Sequence, residues 1–138
     1  MIVRSVAILG ALSVFSTSLV LAQQPEELSK EQIMTTIITP TTATIWGAYQ
    51  ITDEQWAGLD EAAQTLVKAS EATLKGGGTE SGQALAQNAQ WQLYAQQMLD
   101  AATAIRGAIA DKDEERMFNI GNDELYPPCE SCHQEFNR

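Results

Sequence analysis

The chain has 138 residues, with eight basic and 18 acidic side chains, one histidine, two cysteines and a formal net charge of −10. A surface this acidic repels nucleic acid and anionic lipid and is steered toward basic faces. The length suits one domain with one core.

Residues 1–22 read as a secretory signal peptide. Met1-Ile2-Val3-Arg4 is a short basic start, Val6 to Leu21 is apolar or small, and Val20-Leu21-Ala22 predicts cleavage before Gln23. Cleavage removes Arg4 and no acidic residue, so the net charge moves from −10 to −11. The rest, residues 23–138, is expected in the periplasm. No later stretch is long and apolar enough for stable membrane insertion.

Ser29 followed by Gln32 is a capping-box signature and predicts a helix from Lys30 to near Gln50. Met34, Ile37, Ile38, Thr41, Ile45, Ala48 and Tyr49 supply its buried stripe, and Pro40 is expected to kink it. Thr52 with Gln55 repeats the signature. A second helix follows, with Trp56, Leu59, Ala63, Leu66, Val67, Ser70 and Leu74 inward and Gly76-Gly77-Gly78 as a flexible stop. Alanine and glutamine carry a third from Glu80 to Ala110, with Trp91, Tyr94, Met98, Ala102, Ile105 and Ile109 inward. A fourth starts near Asp113 and carries Met117, Phe118 and Ile120. Gly121-Asn122 loosens it, and Pro127-Pro128 breaks or kinks the chain before a terminal helix from Pro128 to Asn137. Period-two alternation is absent. The pattern predicts an all-α fold, an antiparallel four-helix bundle.

The terminal helix holds both cysteines and the sole histidine as Cys129-Glu130-Ser131-Cys132-His133. C-x-x-C-H is the spacing of covalent haem attachment. On a helix the three side chains share one face. Two thiols can then form thioethers to the haem vinyl groups, and the imidazole supplies the proximal iron ligand. The competing readings are a redox dithiol, half a zinc site and a structural disulfide. The first lacks a surrounding βαβ pattern, and the second lacks a fourth Cys or His ligand. Export and thioether formation belong to the same compartment, so signal and motif support each other. With the histidine engaged, no Ser–His–Asp set remains, and no enzyme activity is expected.

The exported layout, four helices and the run Cys129-Glu130-Ser131-Cys132-His133-Gln134-Glu135-Phe136 resemble the cytochrome c′ family, including its methionine-ligated low-spin relatives. In that family an aromatic follows the histidine by three residues, as Phe136 does here. The chain departs from the pattern where Asn137 precedes Arg138, and in the Pro127-Pro128 pair. The resemblance implies one haem c in a four-helix bundle, with the first helix packed across the haem from the last. Met34 would then be the sixth iron ligand, and a His/Met pair suits electron transfer. Met34 also fits a plain core role, as do Met98 and Met117. Without a methionine on iron, a five-coordinate haem would bind small gases such as NO or CO. The expected function is one-electron transfer with a redox partner protein that presents a basic docking face; a homodimer is compatible with the family.

Overall fold

The computed structural model describes residues 24–137, and among them every regular element is helical. The signal peptide expected over residues 1–22 lies outside them. None of the described helices is long and apolar enough to cross a membrane. After a 3-10 turn at Pro25–Glu27 there are five helices: α1 (residues 30–46), α2 (Asp53–Leu74), α3 (Glu80–Leu85), α4 (Ala89–Ala110) and α5 (residues 114–136).

The α1 helix opens on the expected box. Ser29 Oγ accepts from the Gln32 N–H at 3.2 Å, and Gln32 Oε1 accepts from the Ser29 N–H at 2.9 Å. Pro40 does not break it. A π segment, Ile33–Ile38, runs up to the proline, and the Thr39 N–H reaches back five residues to the Met34 carbonyl. The widened turn leaves room for a pyrrolidine ring that would otherwise press on the carbonyl four residues back. Threonine hydroxyls brace the helix. Thr35 donates to the Glu31 carbonyl at 2.8 Å, Thr36 to Gln32 at 2.7 Å and Thr42 to Ile38 at 2.8 Å.

The helix ends at Trp46, short of the expected Gln50. Gln50 takes a left-handed φ of 51°. Glu114 holds this loop from the far end of the sequence, its carboxylate accepting from the Gln50 N–H at 3.0 Å and the Ile51 N–H at 3.2 Å.

The helix expected over residues 80–110 divides in two. Asn88 turns its Oδ1 onto the N–H groups of Gln90 (2.8 Å) and Trp91 (3.2 Å), and this cap starts α4 afresh. The triple glycine, expected to be flexible, is packed. Gly76 and Gly77 have φ of +85° and +71°. A Cβ on Gly77 would lie 2.5 Å from the Leu28 carbonyl oxygen. The Gly78 N–H donates to that carbonyl at 2.8 Å, so the glycines seat the N-terminal turn.

Pro127-Pro128 repeats the solution found at Pro40. The fourth and terminal helices are one element, built of Glu114–Ile120, a π segment Gly121–Leu125, and Tyr126–Phe136. The Tyr126 N–H reaches back five residues to the Gly121 carbonyl.

The helices α2 and α4 pack most extensively against each other, α1 lies on α2, and α5 lies on α4. Ile33, Leu66, Ile105, Met117 and Leu125 are fully buried, and Ala63, Ala69, Ala102 and Ala108 let the backbones approach closely. Two aromatic side chains lie outside, Tyr49 at 76% and Phe118 at 54% exposed, although Tyr49 was expected on the inward stripe. Tyr49 falls beyond the helix end. Phe118 follows Met117 by one position, about 100° round the helix from the inward row.

Candidate functional site

The second half of α5 presents Cys129, Cys132 and His133 at helical positions i, i+3 and i+4, hence on one face. Aromatic packing fixes that face. Phe136 meets Trp91 of α4 edge to face, with ring centroids 5.4 Å apart and planes at 74°. The Trp91 indole donates to the Thr73 carbonyl at 2.9 Å. Cys132 packs into the same small cluster, whereas Cys129 packs against the main core.

A cleft of about 530 Å³ opens beside this face, a volume typical of small-molecule and cofactor sites. Met34, Ile38, Thr42 and Trp46 of α1 form one wall, Tyr94, Ala95 and Met98 of α4 another, and Cys129, Cys132 and His133 of α5 a third. A smaller cleft of about 240 Å³ adjoins it, lined by Lys30, Trp91 and Phe136 among others. Met34, Thr39, Cys132 and His133 belong to both clefts. Every residue singled out from the sequence therefore meets at one place, with Met34 on α1 and the other three on α5. Met98, read as core, is buried and also lines the cleft. Met117 is fully buried in the core.

Both cysteines are unbridged. Burial, reinforced by the neighbouring Cys132, pushes the Cys129 thiol up to about 11. Burial and then Glu135 push the Cys132 thiol up against the opposing pull of Lys30. A redox dithiol needs the reverse, an easily formed thiolate. Half a zinc site fares no better, since among the described residues no three His, Cys, Asp or Glu are placed so that together they could hold a metal ion.

Trp46 is not among the site residues expected from the sequence. It walls the large cleft and is partly buried. Among the described residues its indole nitrogen is the buried side-chain donor left without a partner. It lies against α5, where a Cβ on Gly121 would come within 2.7 Å of Nε1. A signal was present in the sequence: Met34, Ile38, Thr42 and Trp46 follow one another at intervals of four. That spacing marks one face of a helix.

The donor set fits a covalently held haem. Two thiols and an imidazole share one helix face, thioethers stand on facing helices, and the cleft between them is mostly apolar. No family model matches the chain, and neither does any curated protein or solved structure.

Proposed function

We propose that the chain is an exported monohaem c-type cytochrome that carries single electrons in the periplasm, an electron carrier and not an enzyme. Cys129 and Cys132 would hold one haem c by thioethers, with His133 as proximal iron ligand and Met34 as sixth. The observation that carries this reading is the convergence of Met34, Cys129, Cys132 and His133 on one apolar cleft.

Bound there, the haem would supply a one-electron iron couple whose potential a His/Met pair raises. The chain's own part is positional. The α5 face sets two sulfurs and an imidazole at fixed spacing. The Trp91–Phe136 contact steadies the last turn of that helix. Ile38 and Ala95 keep the cleft walls apolar. The proposed architecture is an antiparallel four-helix bundle of α1, α2, α4 and α5, with α3 as part of the α2–α4 connection. It agrees with the cytochrome c′ resemblance, in which the first and last helices flank the haem.

A second reading, a five-coordinate haem that binds NO or CO, draws support from one feature: the α1 wall beside Met34 is lined by Ile38 and Thr42, neither of which can ligate iron strongly. Two measurements decide. Protein matured in a host that attaches c-type haem, run on a denaturing gel and stained for haem, is expected to retain the stain. Colourless protein with two titratable thiols overturns both readings. The reduced spectrum is expected to be low-spin and indifferent to carbon monoxide; a large shift with the gas selects the second reading.

A further inference from the structure

At the end of α1 a surface groove of about 560 Å³ is lined by Trp46, Ala48, Tyr49, Glu114, Glu115 and Phe118. Contiguous exposed apolar patches mark sites of association. Two features make this one more than loose surface. The loop that carries Tyr49 is held by both oxygens of Glu114, so the groove is preformed and little ordering is lost on docking. Trp46 is also a common wall, lining this groove and the large cleft at once. The groove is therefore the outer side of the cleft's α1 wall.

Its rim is acidic. Residues 111–116 read Asp-Lys-Asp-Glu-Glu-Arg. Both cations are taken by carboxylates, Lys112 by Asp53 at 2.6 Å and Arg116 by Asp111 at 3.0 Å. Asp113 caps α5, its Oδ1 accepting from the Arg116 N–H at 2.9 Å, and Glu115 is exposed and lines the groove with Phe118. A second copy would bring the same acidic rim to this place, and like charges there repel.

We propose that this groove is the docking surface for the redox partner, a protein face with an apolar centre and a basic rim. The inference rests on the electron-carrier reading and adds where on the molecule the partner sits.

The test uses the full haem-loaded protein and a redox-inert probe of matching chemistry, tris(1,10-phenanthroline)chromium(III), an aromatic, paramagnetic trication. Proton NMR line broadening reports where it binds. Broadening is expected first at Tyr49, Phe118 and Trp46, and about tenfold weaker in 0.5 M salt. Glu115→Lys is expected to weaken binding about fivefold, and Tyr49→Ser with Phe118→Ser about tenfold. The trianion tris(oxalato)chromate(III) is expected to leave the groove untouched. Broadening centred elsewhere, or indifferent to these variants, overturns the proposal. So does sedimentation showing a dimer in which Tyr49 and Phe118 are shielded. Protein that stays free of covalent haem after maturation in a host that attaches it, yet binds the probe here, overturns the carrier reading, and with it the redox identity of the partner. A haem-loaded protein that ignores the probe overturns the groove alone.

Discussion

Met34 and Met98 face the same cleft from different helices, and burial separates their roles. Met98 is 5% exposed and belongs to the core, whereas Met34 is partly exposed on the π segment of α1. Met34→Ala in the haem-loaded protein is expected to abolish the low-spin spectrum and make the reduced form reactive toward carbon monoxide. Met98→Ala is expected to leave the spectrum alone and lower stability by about 2–5 kcal/mol, read by urea unfolding. The reverse pattern would move the sixth ligand to α4. Cys129 gives a pH prediction for protein made without haem. Its thiol ordinarily titrates near 9, and burial raises it to about 11. The unfolded chain loses this proton first, so stability from this group is complete below pH 9 and is lost as pH rises toward 11. Alkylation by iodoacetamide at pH 8 is expected to be far slower at Cys129 in the native chain than in urea.

At the scale of elements, what was legible follows from what leaves a local mark. The Ser29 and Thr52 signatures placed two helix starts, because a cap is a contact between residues three apart. Asn88 left a similar mark but was outweighed by the alanine and glutamine on either side. The π segments left none. Five or six residues at a wider period cannot be told from α by apolar spacing, and the prolines that follow them read as breaks. Pro40→Ala tests the link between proline and π turn. With an N–H restored and the ring gone, segment 33–38 is expected to tighten into α register, which turns Met34 by about 100° relative to the rest of α1. The spectrum should then follow that of Met34→Ala even though the sulfur is still there. An unchanged spectrum would mean that packing, not the proline, holds the wide turn.

At the scale of the molecule, the sequence made the haem-type motif plain and the cleft around it much less so. Cys129, Cys132 and His133 lie within five residues, but their companions come from α1 and α4, and a single sequence records no pairing between helices. The exposure of Tyr49 and Phe118 was hidden for the same reason, since each depends on where a helix ends or which neighbour takes the inward row. The glycine triplet shows how distant parts of the chain are tied. Gly77→Ala meets both a φ of +71° and the Leu28 carbonyl. It is expected to cost about 1–3 kcal/mol in urea unfolding and to loosen residues 25–28 in hydrogen exchange. The two wide turns reach furthest. Each holds a surplus residue that an ordinary helix would omit, so each acts as a counter of chain length on one side of the cleft. Dropping one residue from either would give a sound helix, a normal circular dichroism spectrum and an intact core partner on its far side. The groups beyond the deletion would be swung away from their counterparts. For this chain, the length of residues 33–38 and 121–125 matters to the site as well as the side chains they carry.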